Sequence, residues 1–334
     1  MMLRAAVMLS HVVTCSVGLG APVRSVPLPD YAAHPGELID VGGYRLNLYC
    51  FGQGEPTVLF LSGGAWGAVA WAELQPALAT TTRVCSYDRA GMNFSDLGPI
   101  ARAPDHDLRD LSALIEKAHI KTPVVLAGWS AGGMLARWYA DVEPGKVAAI
   151  VTIDGSDFDY WDGADESAWL PGAIRLFREC KKLADSGAFE TDRAAFERCS
   201  GYGNPLTLFP ALRTTLEQRL HNPALYSQWL HDLEHEGKGA AALRKARRSY
   251  GSMPLRVIVA GTHFRPAAAH TGARPALADV AFIQHSYQIL DLSSDSELLV
   301  APNTSHAIHF DRPDFVTAVI ADVIGKVRSV SKRP

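Results

Sequence analysis

A basic excess is missing from this chain: across 334 residues, 32 Lys and Arg stand against 35 Asp and Glu, a formal net charge of -3. No positive run exceeds the short patch from Arg244 to Arg248, so nothing concentrates the field that a polyanion requires, and a nucleic-acid partner is not expected. Long apolar runs are missing too. After the first twenty residues no stretch approaches the roughly 18 apolar residues of a membrane-spanning helix, and no transmembrane segment is expected in a mature chain. Internal repeats, low-complexity tracts, P-loops and dinucleotide fingerprints are likewise absent, so no cofactor is expected. What the chain does have is 48% hydrophobic residues, enough for a substantial core, read here as one large unit carrying an insertion.

Cysteine is scarce, at five residues. Cys15 lies in an N-terminal segment where Arg4 precedes an apolar run from Ala5 to about Gly20, followed by small residues. That pattern predicts a signal peptide over residues 1–21 and a secreted or periplasmic protein. Val12-Val13-Thr14-Cys15 only poorly matches a lipid-anchoring box, because Thr14 stands where a smaller residue is usual. Removing the leader leaves Cys50, Cys85, Cys180 and Cys199, an even number that suits an oxidising compartment. Cys180 and Cys199 could clip a helical hairpin, and Cys50 could face Cys85 if their strands are antiparallel neighbours. Free buried thiols are the alternative.

Eight short apolar segments read as strands. Leu38 to Val41 and Tyr44 to Tyr49 flank a Gly42-Gly43 turn as a hairpin, and Thr57 to Leu61, Arg83 to Tyr87, Val124 to Ala127 and Val147 to Ile153 follow. Helical faces lie between them, as at Leu108, Leu111, Leu114 and Ile115. From about Asp157 to Arg248 the strand rhythm stops, and the composition is helical with scattered aromatics. It resumes at Leu255 to Ala260 and Glu297 to Val300, and a last helix carries Phe315, Val319, Ile320, Val323 and Val327 on one stripe. This alternation predicts an α/β fold with a mostly parallel eight-stranded sheet and helices on both faces. The core is expected over 36–156 and 250–330, with a helical cap inserted over 157–249.

The chemistry concentrates at Gly128-Trp129-Ser130-Ala131-Gly132, which follows the apolar stretch Thr122 to Ala127 and precedes a helical face built on Met134, Leu135, Trp138 and Tyr139. Strand, Gly-x-Ser-x-Gly, then helix is the order of a nucleophile elbow. Its turn is so tight that the flanking residues must be nearly side-chain-free and the serine must accept a strained backbone. A serine hydroxyl needs a histidine base and a carboxylate to orient that base. Among twelve histidines, His306 has the best context, on the loop between the last strand and the last helix, with His309 second. For the acid, the loop from Gly261 to Pro266 carries no carboxylate, whereas Asp154 ends the strand Val147 to Ile153 and Asp157 lies three residues on. Asp154 is the first candidate and Asp157 the second. The oxyanion needs two N–H donors: Ala131 supplies one, and the Gly-rich loop Leu61 to Gly67 supplies the other through Gly64, or failing that Ala65.

These motifs resemble the alpha/beta-hydrolase superfamily, of the single-domain esterase, lipase and haloalkane dehalogenase type, over nearly everything from Ile39 to Val327. Ser62-Gly63-Gly64 stands at the usual His-Gly-x loop, and Asp88-Arg89-Ala90-Gly91-Met92-Asn93-Phe94-Ser95 at the Asp-Arg-x-Gly-x-Gly-x-Ser segment. The elbow follows, then Ser305-His306 with Asp311-Arg312-Pro313. Three positions depart from the pattern: Ser62 replaces histidine, Asn93 replaces glycine, and the carboxylate usually found after the penultimate strand is missing. Some relatives carry the acid after the sixth strand, where Asp154 stands. The resemblance implies a cofactor-independent serine hydrolase acting on a small or medium apolar ester, with Ser130, His306 and Asp154 as triad and Gly64 and Ala131 as oxyanion hole. Amide hydrolysis, lactone opening and perhydrolysis would use the same triad, and a non-catalytic ligand-binding member is the rival reading. Dehalogenases and epoxide hydrolases of the superfamily use Asp at the elbow, and Ser130 argues against both. His231-Asp232-Leu233-Glu234-His235 matches an inverted zinc-peptidase pattern, but without a third ligand motif it reads as one charged helix face.

Overall fold

Eight apolar segments pair into one sheet in the computed structural model, which describes residues 29–64, 66–99, 105–155, 169–200, 209–264 and 277–331. The strands are β1 Glu37–Asp40, β2 Arg45–Phe51, β3 Val58–Leu61, β4 Val84–Tyr87, β5 Val124–Trp129, β6 Val147–Ile153, β7 Leu255–Ala260 and β8 Ser296–Ala301. Their order across the sheet is β1-β2-β4-β3-β5-β6-β7-β8. β1, β2 and β4 pair antiparallel, and every pairing from β4 onward is parallel. The hairpin turns where expected, because the Asp40 carboxylate accepts the backbone N–H groups of Gly42 and Gly43, both at 2.8 Å.

The helices are α1 Leu74–Ala79, α2 His106–Lys117, α3 Ala131–Val142, α4 Trp169–Asp185, α5 Arg193–Ser200, α6 Pro210–Leu220, α7 Pro223–Ala246, α8 Leu277–Leu290, α9 Ile308–Asp311 and α10 Pro313–Ser331. Alternate strand residues supply two cores, one on each face of the sheet. Leu59, Leu61, Leu126 and Val257 pack under α2, α3 and α8, whereas Phe60, Val125, Val151 and Ile258 pack under α1 and α10. Each such side chain stabilises the fold by roughly 1.5–3 kcal/mol on burial. On α10 the fully buried positions are Val316, Ile320, Val323 and Ile324, with Phe315, Val319 and Val327 flanking. The stripe is therefore centred one residue beyond the expected set, at the i, i+4, i+7, i+8 spacing of a helix pressed flat on a sheet.

The helices α4 to α7 lie between β6 and β7 and share a third apolar cluster, which includes Phe177, Phe196, Leu216 and Tyr226 together with Val69 and Ala72 of the sheet-bearing part. Both disulfide pairs form. Cys50 and Cys85 are register partners on antiparallel β2 and β4, and Cys180 of α4 joins Cys199 of α5 inside the third cluster. Among the described residues, no helix is long and apolar enough to cross a membrane. The leader expected over 1–21 lies outside the described residues.

The chain passes from β3 to β4 on one side and then to β5 on the other, so the switch in strand order falls beside β3. Crevices at the carboxyl ends of strands around such a point are where open α/β sheets bind ligands. The loops carrying Gly64, Ser130, Asp154 and His306 leave the carboxyl ends of β3, β5, β6 and β8.

Candidate active site

At the end of β5 the chain reverses into α3 with no room for side chains. A Cβ on Gly128 would lie 2.2 Å from the Gly132 carbonyl oxygen, and one on Gly132 would lie 1.9 Å from that of Leu61. Between them Ser130 adopts φ 53° and ψ -125°, a conformation that costs a non-glycine residue roughly 1–3 kcal/mol. Backbone bonds offset that cost: Ser130 N–H donates to Ile153 C=O at 3.1 Å, and Gly133 N–H donates to Ser130 C=O at 2.9 Å. Ser130 thus stands at the N-terminus of α3, where unpartnered N–H groups and the helix dipole favour negative charge.

Asp154 follows β6 directly, fully buried, with φ 45°. Its Oδ1 accepts the Ala260 N–H at 2.8 Å, and its Oδ2 lies 2.7 Å from His306 Nδ1. β6 and β7 are parallel neighbours, so a carboxylate ending β6 reaches the backbone at the end of β7. Asp157, the second candidate, lies outside the described residues.

His306 sits between β8 and α9 with its side chain half exposed. Its carbonyl accepts the Trp129 indole N–H at 2.9 Å, and the two rings lie 5.4 Å apart, so the residue preceding Ser130 holds the histidine loop against the elbow. Asp311 braces the same loop by accepting Ser305 N–H at 2.6 Å and Ser305 O–H at 2.7 Å. Trp129 is a role that sequence reasoning missed, since it occupies the freely variable position of the pentapeptide.

The loop after β3 presses on Ser130: a Cβ on Gly63 would lie 2.7 Å from the Ser130 Cβ. Gly63 C=O accepts Trp66 N–H at 3.2 Å, and in a planar trans peptide the N–H of Gly64 then points the opposite way. Gly64 is exposed, with φ 36°. Ala131 opens the first turn of α3. Ala65, the alternative donor, lies outside the described residues. The deep Ser62 hydroxyl, which takes the place of the family's histidine, is buried without a hydrogen-bond partner among the described residues.

His309, the second-choice base, is fully buried among the rings of Trp71, Trp129 and Phe310, at centroid distances of 5.1, 4.4 and 4.3 Å. Burial, and then the charge of His306, push its pKa down from 6.5 to about 3, so it stays neutral in the folded protein. Between those values the unfolded chain binds a proton that the native state refuses. This contribution to stability is complete above pH 6.5 and lost as pH falls toward 3, at about 1.4 kcal/mol per pH unit. His309→Phe is expected to remove about 2–3 kcal/mol of the stability lost between pH 7 and pH 4.5. Urea unfolding of both proteins at the two pH values checks this; equal acid losses would show that His309 is protonated in the fold.

Among the described residues, no group of three or more His, Cys, Asp or Glu side chains is placed to hold a metal ion. His231 and His235 stack on each other along α7 at 4.1 Å, with His235 Nδ1 bonded to the His231 carbonyl.

Comparison with known proteins agrees with this architecture. The uncharacterized protein YbdG of Bacillus subtilis is 29% identical over 212 residues, 60% of this chain and 60% of its own length. A pimeloyl-[acyl-carrier protein] methyl ester esterase of Chromobacterium violaceum is 29% identical over 189 residues, covering 52% of this chain and 72% of that protein. The haloalkane dehalogenase DatA of Agrobacterium tumefaciens superposes with a TM-score of 0.62 at 14% identity, covering 90% of this chain and 100% of that one. The matched stretch spans less than two thirds of YbdG, and the dehalogenase likeness is one of fold. The model of the alpha/beta hydrolase family matches residues 58–319, which takes in the sheet from β3 to β8 and every strand end described above, and the chain belongs to that family.

Proposed function

We propose that the chain is a serine hydrolase of carboxylic esters that works through an acyl-enzyme. The observation that carries this reading is the buried Asp154 carboxylate bonded at 2.7 Å to Nδ1 of His306, whose loop is tied to the residue next to Ser130. With Nδ1–H given to Asp154, Nε2 of His306 is left as a base. Ser130 Oγ attacks the ester carbonyl as His306 Nε2 takes its proton, and the oxyanion settles toward the N–H groups of Gly64 and Ala131. Collapse expels the alcohol, which receives the proton from His306 and leaves the acyl group on Ser130. Water, deprotonated by the same imidazole, then releases the carboxylic acid and returns the proton to Ser130.

The aromatic content of the segment between β6 and β7 supports an apolar acyl or alcohol part of small or medium size, with residues 157–249 acting as a cap over a core of 36–156 and 250–330. The esterase named among the relatives supports ester over amide. Two disulfides support export to an oxidising compartment, with residues 1–21 as the leader.

A fluorophosphonate probe tests the reading directly. Wild-type protein is expected to be labelled stoichiometrically and Ser130→Ala not at all, read by intact mass. An unlabelled wild type would place the protein among ligand-binding members of the fold. A series of short to long esters, lactones and amides then ranks the substrate class, and faster turnover of amides or lactones would overturn the ester assignment.

A further inference from the structure

The Asp88 to Ser95 segment matches a family motif, yet none of its residues enters the reaction above. It lies directly against the loop after β3. Arg89 Nη2 donates to Gly64 C=O, Asn93 Nδ2 donates to Trp66 C=O at 3.0 Å, and Asp88 Oδ1 accepts Ala68 N–H at 2.7 Å. The three bonds fall on alternate residues, 64, 66 and 68, so one edge of the oxyanion loop is held by a single turn of chain. The fit is close: at Gly67, with φ 64°, a Cβ would lie 2.2 Å from Asp88 Oδ1 and 2.4 Å from Asn93 Nδ2.

The turn is itself anchored. Asp88 is fully buried and also accepts Asn47 Nδ2 at 2.7 Å, Asn93 Nδ2 at 3.0 Å and Phe94 N–H at 3.3 Å. The second arm of the Arg89 guanidinium reaches Asp107 of α2 at 2.9 Å. Gln228 of α7, fully buried, donates to Ala90 C=O at 2.8 Å and accepts Gly98 N–H at 2.9 Å, which fastens the outer side of the turn. Asn93, the residue that departs from the family's glycine, keeps a positive φ of 32° and adds an amide that spans both segments. Asn is among the few non-glycine residues that tolerate this backbone region.

We propose that Arg89 and Asn93 are positioning residues for the oxyanion hole, holding Gly64 C=O and Trp66 C=O on the Asp88 turn so that the Gly64 N–H stays aimed at the reacting carbonyl. A freely hinged glycine loop would spend part of its time with that N–H turned away. An oxyanion donor acts by being oriented before charge develops, and a misplacement of about 1 Å costs on the order of 10²-fold. The inference rests on the serine-hydrolase reading for its catalytic half and on the hydrogen bonds alone for its structural half.

The test uses the full chain with p-nitrophenyl butyrate as probe substrate and an alkyl trifluoromethyl ketone, whose adduct with Ser130 carries an oxyanion, as inhibitor. Arg89→Ala is expected to lower kcat about 100-fold and Asn93→Gly about 10-fold, with KM within about two-fold of wild type. Inhibitor affinity should fall by the same factors. Arg89→Lys is expected to recover only part of the loss, because a single ammonium cannot fork between Gly64 and Asp107. Asn93→Gly keeps a residue that accepts the positive φ, so it reports even if Arg89→Ala does not fold. Hydrogen exchange at Trp66 and Ala68, whose N–H groups are bonded to Gly63 C=O and Asp88 Oδ1, should accelerate in both variants.

Unchanged exchange at those amides would overturn the clamp, whatever reaction the protein performs. Accelerated exchange with unchanged kcat, or a rise in KM alone, would overturn the positioning role while leaving the hydrolase reading intact. A wild type that neither turns over nor takes the fluorophosphonate would instead overturn the hydrolase reading itself, and the catalytic half of this one with it.

Discussion

Ser130→Ala is expected to fold as the wild type does and to lose about 10⁶-fold in kcat on p-nitrophenyl butyrate. The substitution removes one hydroxyl and nothing that holds the elbow. Both bonds that fix the residue, to Ile153 C=O and from Gly133 N–H, belong to the backbone, and alanine meets the same cost as serine at φ 53°. The neighbours, by contrast, are intolerant, because Gly128 and Gly132 have backbone atoms where any Cβ would sit. Steady-state rates and thermal unfolding on the same preparations separate lost chemistry from lost structure. A loss below about 100-fold with unchanged unfolding would place the nucleophile elsewhere.

The second large effect is expected at the acid, where Asp154→Asn should lower kcat about 10⁴-fold. The direction follows from what surrounds the carboxylate. Oδ1 is committed to the Ala260 N–H, a donor that needs an oxygen, so an asparagine must present its own oxygen there and its NH₂ to His306. Two donors cannot share one hydrogen bond. Nδ1 of His306 then has to accept, the ring proton moves to Nε2, and the nitrogen facing the reaction is no longer a base. Asp157→Asn is expected to leave kcat within a few-fold of wild type. The opposite ranking of the two variants would make Asp157 the acid.

Much of the site can be read along the chain because its parts are local. The elbow needs only a strand, small residues and a helix in succession, and each of these leaves a mark within about fifteen residues. The strands were legible for the same reason: short runs that are apolar throughout, as at Val58 to Leu61 or Val124 to Ala127, place successive side chains on opposite faces, and both faces are covered. The choice between acids was not local. Asp154 and His306 are 152 residues apart, and no periodicity connects them. Nor could the brace by Trp129 be read, since its indole works through a bond to a loop formed some 180 residues later.

The residues by themselves determined the class of fold, the tight strand-to-helix turn at Ser130 and the loop between the last strand and the last helix that carries His306, because hydrophobic periodicity and steric demand at glycine act between near neighbours in sequence. Only the tertiary structure decided that Asp154 meets His306 while His309 lies buried among aromatic rings. It also decided that Cys50 pairs with Cys85 across antiparallel strands, and that Arg89 and Asn93 grip the loop carrying Gly64. These outcomes depend on which strand ends lie side by side and on which way carbonyls and N–H groups point, and hydrogen-bond direction is set by the assembled sheet rather than by any stretch of chain within it.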